Sequence, residues 1–327
     1  MVFKIMEKIQ RMRKINVWYK SFGVICWNLA VSLAAQDLSS QSGYIQVKNG
    51  SLFYQKFGSG EPIVVLHGGP GKDQGYLLPQ MLELSKDHEL IFYDQRGSGQ
   101  SLTTPLDAEH INTDQFVEDL EALRLALGLE KITLLGYSWG GFLALCYAIK
   151  YPQTLSSLIL MSCAPVDYKG QLAFTVEEAK RCIPIATEIA PLTNFQLFEQ
   201  LSEQQINALY RTLFSVYVYN PADVQKLTLT MNPKSAQNGF KVAEELCKTF
   251  WLQPSTNLFP VLKTIQVPTL LLHGKQDIVP LHTAQEINDA LPNSRIIVID
   301  ECGHFPYIEK PEMFFAHIRS FLQNLNG

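Results

Sequence analysis

The chain has 327 residues, of which 46% are hydrophobic and 18% are charged, and this composition suits a globular protein with a large core. Its formal net charge of −4, without a basic stripe beyond the N-terminal segment, argues against a nucleic-acid partner. The body of the chain contains no uncharged apolar run of about 18 residues, so no membrane-spanning segment is predicted there.

The N-terminal segment has the pattern of a secretory signal. A basic region precedes the charge-free stretch "SFGVICWNLAVSLAAQ", which ends on small residues. This pattern predicts a cleaved signal over residues 1–35, with cleavage after Ala34 or Ala35 and a secreted or periplasmic protein. An amphipathic or anchoring helix and a cytoplasmic location are the alternatives, and translation could begin at Met1 or at Met12.

Strand and helix patterns then alternate along the chain. Two short runs around Asn49-Gly50 predict a hairpin, and "PIVVLHGGPG", "ELIFYDQRG" and "KITLLGYSWG" each continue a buried apolar run into a glycine-containing loop. Residues 165–255 break this rhythm with helical patterns, after which "VPTLLLHGKQD" and "SRIIVIDECGH" each precede a helix. We predict an α/β fold with a mostly parallel, doubly wound sheet over residues 36–164 and 256–327 and an inserted helical cap over 165–255.

A serine lies on one of these strand-to-helix turns. The segment "GYSWG" fits the G-x-S-x-G pattern, in which the small neighbours of the serine allow a strained, tight turn. The apolar strand ends at Leu135 and the helical pattern begins at Trp139, which is the context that the motif requires. We predict that Ser138 is a nucleophile rather than a turn-filling serine, with a helix N-terminus next to the developing oxyanion.

An acid and a base follow two later strands. Asp277 and His304 come directly after predicted strands, so we expect both at the sheet edge that carries Ser138. Their order along the chain, Ser, Asp, His, is the order that accompanies this serine motif. His304 would accept the serine proton, and Asp277 would fix the imidazole tautomer. His282 is the one rival base among the other histidines.

The glycine-rich loop "HGGPG" provides backbone N–H groups close to the predicted nucleophile. We predict an oxyanion hole from the N–H groups of Gly69 and Trp139, with Gly68 in a supporting position. His67 is expected to form internal hydrogen bonds rather than to take part in catalysis.

Taken together, "HGGPG", "DQRGSGQS", "GYSWGG" and the segments around the predicted acid and base resemble the α/β-hydrolase fold. More narrowly, they resemble the proline iminopeptidase-like serine peptidases. The resemblance covers about residues 44–163 and 256–325, and it implies that the insertion is a cap. It also implies that Asp94 and Arg96 support the wall of the site. No metal or organic cofactor is implied.

The cap departs from the pattern of that family. Members are understood to bind the α-ammonium of the substrate with cap glutamates, and many carry a "W-x-x-W-E" segment, which this sequence lacks. The nearest counterpart, "LYRTLFSVYVYNP", is aromatic but has no acid. Glu199, Glu203, Glu244 and Glu245 are the candidate amine ligands, and a solvated helix face is the alternative for each. The many aromatic residues of the cap predict a mostly apolar roof.

The sequence therefore predicts a serine hydrolase that acts through an acyl-enzyme. The first-choice substrate is a short peptide with N-terminal proline or another small apolar residue. A carboxylesterase or amidase acting on small apolar esters or amides is the alternative, and a receptor-like binding module with a triad is a third possibility. The expected partner is a small molecule or short peptide, with no nucleic acid and no stable membrane insertion after signal removal. The oligomeric state is left open.

Overall fold

The structure, a computed structural model, describes residues 39–251 and 253–325. The predicted signal and both candidate start sites lie outside these residues. In the part of the chain that the structure describes, no helix combines the length and hydropathy needed to cross a bilayer.

One mixed sheet organises the described residues. Its strands are β1 (Ser39–Val47), β2 (Gly50–Phe57), β3 (Pro62–Leu66), β4 (Glu89–Tyr93), β5 (Leu102–Thr103), β6 (Ile132–Tyr137), β7 (Leu155–Met161), β8 (Thr269–Gly274) and β9 (Ser294–Ile299). They lie in the order β1-β2-β4-β3-β6-β7-β8-β9, with β5 paired to β2. From β4 to β9 every neighbouring pair is parallel, and β2 is antiparallel to both β4 and β5. The predicted fold class is confirmed.

Helices connect and cover the strands. They are α1 (Leu78–Met81), α2 (Thr113–Ala126), α3 (Trp139–Lys150), α4 (Tyr168–Cys182), α5 (Ala186–Ile189), α6 (Glu203–Phe214), α7 (Pro233–Leu246), α8 (Phe259–Leu262), α9 (Leu281–Ala290), α10 (Pro306–Glu309) and α11 (Pro311–Gln323). Every residue of β6 and of β8 is buried. This burial is the reason that both strands read as continuous apolar runs in the sequence.

The predicted cap, residues 165–255, lies within the longer segment between β7 and β8. The described residues of this segment form helices α4 to α8 and no strand. An isolated β-bridge between Asp167 and Asn257 joins the chain where it enters and leaves the insertion. The boundaries at residues 165 and 255 stay a prediction, because the described residues from Gln41 onward form one compact unit.

The topology brings four loops to one edge of the sheet. Because β3, β6, β8 and β9 are parallel, their carboxyl ends lie at the same edge. The loops that follow these strands carry the glycine-rich segment, Ser138, Asp277 and His304 respectively. The sheet thereby positions each residue of the predicted triad.

Candidate active site

Ser138 lies on a strained turn between β6 and α3. Its backbone has φ 54° and ψ −115°, a conformation that non-glycine residues rarely adopt. A Cβ on Gly136 would lie 2.4 Å from the carbonyl oxygen of Gly140, and a Cβ on Gly140 would lie 2.2 Å from the carbonyl oxygen of Leu66. Both glycines are therefore required by close backbone packing, which holds the serine at the end of the strand.

Asp277 and His304 form a buried pair. His304 Nδ1 donates a hydrogen bond to Asp277 Oδ1 at 2.8 Å, and the Val279 N–H donates to the same oxygen at 2.9 Å. Burial acts to raise the pKa of the Asp277 carboxyl. Attraction to the imidazoles of His304 and His273, together with these hydrogen bonds, outweighs burial and holds the pKa below its usual value. An ionised carboxylate at this position keeps the proton on Nδ1 and leaves Nε2 as the basic nitrogen.

Aromatic rings surround the His304 imidazole. The ring centroids of Tyr137, Tyr217 and Phe305 lie 5.0, 5.5 and 5.6 Å from that of the imidazole. His304 is 4% exposed, so this packing restricts both the orientation of the ring and the access of water. His282, the rival base, is exposed on α9 and does not line the cavity that contains Ser138.

The predicted oxyanion donors lie beside Ser138. Gly69 lines the same cavity as Ser138, and Trp139 is the first residue of α3. The Gly68 N–H donates to the Tyr76 hydroxyl at 2.7 Å, so that donor is used inside the protein. A Cβ on Gly68 would lie 3.1 Å from the Cβ of Ser138, which shows how closely this loop approaches the serine.

Gln95, which no pattern in the sequence singled out, joins the two segments that carry these donors. Its backbone N–H donates to His67 Nε2 at 3.0 Å, and its side-chain Nε2 donates to the His67 carbonyl oxygen at 2.7 Å. Its Oε1 accepts a hydrogen bond from the Trp139 indole Nε1 at 2.8 Å. His67, Gln95 and Trp139 are almost completely buried. Gln95 therefore fixes the glycine-rich loop relative to the start of α3.

His67 is an internal hydrogen-bonding residue, as predicted. Its Nδ1 donates to the Gly68 carbonyl oxygen at 2.9 Å, and its Nε2 accepts the Gln95 N–H. Burial lowers the pKa of His67 to about 4. A protonated ring would place an N–H against the Gln95 N–H, so the imidazole stays neutral.

Asp94 and Arg96 support neighbouring loops without lining the cavity. Asp94 accepts hydrogen bonds from the backbone N–H groups of Gln74, at 3.0 Å, and Gln100, at 2.8 Å. Burial and the nearby Asp73 carboxylate raise the pKa of Asp94 to about 7. Arg96 is buried and pairs with Asp119, its Nε donating to Oδ2 at 2.8 Å. Both residues hold backbone in place rather than facing a ligand.

The cavity that contains Ser138 and His304 has a volume of about 230 Å³. The core supplies its floor and the cap supplies its roof, which is mostly aromatic and includes Phe174, Phe214 and Trp251. The apolar character of the roof agrees with the prediction from the sequence. Two charged residues also line the wall, Glu178 on α4 and Lys72 directly after the glycine-rich loop.

None of the four glutamates chosen from the sequence lines this cavity, which corrects that prediction. Glu199 accepts a hydrogen bond from the Gln237 side chain, Glu203 borders a separate cavity, and Glu244 and Glu245 both pair with Lys248. All four glutamates therefore lie in other parts of the cap, away from the Ser138 cavity.

Glu178 supplies the carboxylate of the cavity wall among the described residues. One of its carboxylate oxygens accepts a hydrogen bond from the Tyr217 hydroxyl, and the Tyr217 ring packs against His304. Glu178 follows Phe174 by four residues on α4, so both side chains lie on the same helix face. That spacing in the sequence indicates that the two residues share a face, but it does not indicate that this face borders the cavity.

Three comparisons with known proteins identify the family and the fold of this chain. The family model for the alpha/beta hydrolase fold matches residues 61–311. A proline iminopeptidase from Heyndrickxia coagulans is 30% identical over 305 residues, covering 86% of this chain and 99% of the relative. A proline iminopeptidase-related protein from Thermus thermophilus superposes with a TM-score of 0.66 at 24% identity, over 87% of this chain and 98% of that one. An esterase from Exiguobacterium antarcticum superposes with a TM-score of 0.63 at 21% identity, over 86% and 100%.

Proposed function

This chain belongs to the alpha/beta hydrolase fold family and, within it, to the family of the proline iminopeptidases, and from that premise we propose that it releases N-terminal proline or another small apolar residue from short peptides. The enzyme is a serine hydrolase. Its proposed activity is that of an aminopeptidase, and the single observation that carries this specificity is the position of Glu178 in the wall of the Ser138 cavity.

The proposed reaction passes through an acyl-enzyme. Ser138 Oγ attacks the scissile carbonyl carbon while His304 Nε2 accepts the serine proton and then transfers it to the leaving amine. The N–H groups of Gly69 and Trp139 stabilise the negative charge that develops on the carbonyl oxygen. Water then attacks the acyl-enzyme with His304 as the general base, which regenerates Ser138. Asp277 holds the imidazole in the required tautomer throughout.

Glu178 provides what an aminopeptidase needs beyond this shared chemistry. A free N-terminus is a cation at neutral pH, and moving it into a mostly apolar cavity is unfavourable unless a carboxylate meets it. Glu178 lines the same wall as the nucleophile. The aromatic roof, with Phe174 and Trp251, suits a proline ring or another small apolar side chain.

A carboxylesterase or amidase is the alternative, and the apolar roof favours it as well, because small apolar esters need no charged partner. The two activities differ in their requirement for the free amine. We propose to measure hydrolysis of prolyl-, alanyl- and N-acetyl-prolyl-naphthylamide alongside p-nitrophenyl acetate. The proposal predicts that acetylation of the amine lowers kcat/KM by about tenfold or more, since a hydrogen bond between charged groups is lost. Equal rates for the free and the blocked prolyl substrate would contradict it.

We also propose that the protein is exported after cleavage of its N-terminal signal. The support for this is the basic region followed by a charge-free stretch with small residues at its end. N-terminal sequencing of the protein isolated from its natural host tests the proposal. A mature chain that begins at Ala35 or Gln36 is expected, whereas an intact Met1 or Met12 would contradict export by this route.

A further inference from the structure

Lys72 lies beside the predicted oxyanion hole, and the proposed reaction gives it no role. It follows the glycine-rich loop directly and lines the cavity that contains Ser138. A Cβ on Gly69 would lie 3.2 Å from Lys72 Cγ, so the lysine stem packs against the loop that carries the predicted oxyanion donor. The side chain thereby extends from the floor of the site towards the cap.

The Lys72 ammonium has one partner on the cap. Its Nζ lies 3.5 Å from the centroid of the Tyr210 ring on α6. Among the described residues it forms no ion pair within 4 Å, although its charge acts to lower the pKa of the neighbouring Asp73 carboxyl. An ammonium has three N–H donors, and a ring face engages one side of it. The remaining donors can bind an anion that enters the cavity, and a partly buried cation is stabilised when such an anion arrives.

The cavity wall therefore carries one carboxylate and one ammonium around the nucleophile. On the basis of the proposed aminopeptidase function, we propose that free dipeptides are the preferred substrates. Glu178 would bind the α-ammonium of such a substrate, and Lys72 would bind its C-terminal carboxylate. The same charges disfavour the reversed orientation, in which each charged end of the substrate would face a residue of like charge.

The length of the substrate follows from this arrangement. In a dipeptide the carboxylate belongs to the residue that leaves, so it lies one residue beyond the scissile bond. Each additional residue moves the carboxylate away by about 3.5 Å and leaves a neutral peptide group at its former position. The volume of about 230 Å³ is also small for a ligand site, since such sites range upward from about 300 Å³. A free dipeptide satisfies both charges, whereas its C-terminal amide and longer peptides satisfy Glu178 alone.

The test compares kcat/KM for prolyl-alanine, prolyl-alanine amide and prolyl-alanyl-alanine. The wild-type enzyme is expected to prefer the free dipeptide to its amide by about tenfold or more, because a charge-assisted hydrogen bond is at stake. In Lys72→Met this ratio should fall towards one, and Lys72→Arg, which retains the charge, should restore most of it. Lys180→Met is the matched control: it removes an exposed lysine from the helix that carries Glu178 and should keep the wild-type ratio.

Two results would overturn the inference. One is a wild-type enzyme that hydrolyses the free dipeptide and its amide equally well, which requires no variant to fold. The other is a Lys72→Met enzyme that retains the wild-type preference. Prolyl-naphthylamide separates the two proposals. If prolyl-naphthylamide is hydrolysed, but the free dipeptide is hydrolysed no faster than its amide, only the role of Lys72 fails. If no substrate with a free amine is hydrolysed, the aminopeptidase function fails and the dipeptide preference fails with it.

Discussion

Replacing Glu178 by Gln should remove recognition of the substrate ammonium while keeping the shape of the cavity wall. The amide oxygen of Gln can still accept the hydrogen bond from the Tyr217 hydroxyl, and that ring packs against His304. A hydrogen bond between charged groups contributes about 1.5–3 kcal/mol, and about 1.36 kcal/mol corresponds to a tenfold change in rate. Because Glu178 is partly exposed, solvent screens its charge, and we expect kcat/KM for prolyl-naphthylamide to fall by about 10- to 30-fold.

The assay compares that substrate with p-nitrophenyl acetate, which has no amine. Glu178→Gln should change ester hydrolysis by much less than it changes amide hydrolysis, because the triad and the oxyanion donors are untouched. Glu244→Gln is the matched control, since Glu244 pairs with Lys248 at 2.8 Å outside this cavity. An equal loss on both substrates, or a loss of similar size in Glu244→Gln, would refute the role assigned to Glu178.

Three further predictions concern the scaffold of the site. Gln95→Leu removes the bridge between the glycine-rich loop and α3, so kcat should fall by about tenfold or more with a smaller change in KM; a rise in KM without loss of kcat would contradict this. Burial lowers the pKa of His67 to about 4, so between about pH 6.5 and pH 4 the imidazole is protonated in the unfolded state but not in the folded state. The free energy of unfolding should therefore fall by up to about 3 kcal/mol as the pH drops through this range. Urea unfolding at several pH values measures this fall, and the same pH dependence in His67→Gln would show that His67 is not its source. Gly140→Ala places a Cβ 2.2 Å from a β3 carbonyl oxygen and should destabilise the protein by about 2 kcal/mol or more. Gly128→Ala has nothing within 4 Å of its Cβ but must adopt φ 67°, so it should lose only the roughly 1 kcal/mol of that backbone strain. Equal losses in urea unfolding would argue against the tight turn.

The sheet and the positions of the three predicted triad residues could be read from the sequence for one physical reason. In a parallel sheet every strand ends at the same edge, so residues directly after strands become neighbours without any knowledge of long-range contacts. Ser138 follows β6, and Asp277 and His304 lie within a few residues of the ends of β8 and β9. The glycines around the serine were informative because backbone packing leaves no room for a side chain at Gly136 or Gly140.

The proposed amine ligand could not be read in the same way. A helical pattern indicates which residues share a face, but the direction in which that face points depends on how the helix packs on the core. The four glutamates chosen from the cap lie on faces that do not border the cavity, whereas Glu178 on α4 does. The bridge made by Gln95 was also beyond the sequence, because it joins His67 and Trp139, which lie 28 residues before it and 44 residues after it.

We propose above that Ser138 is the nucleophile that forms the acyl-enzyme. Its strained turn supports this role, as does its position in the lining of the cavity that His304 also lines. A fluorophosphonate probe should react with the enzyme, and peptide mass spectrometry should locate the adduct on Ser138, with no adduct on Ser138→Ala. Labelling of Ser138→Ala, or an adduct on another residue of the wild-type enzyme, would contradict the account.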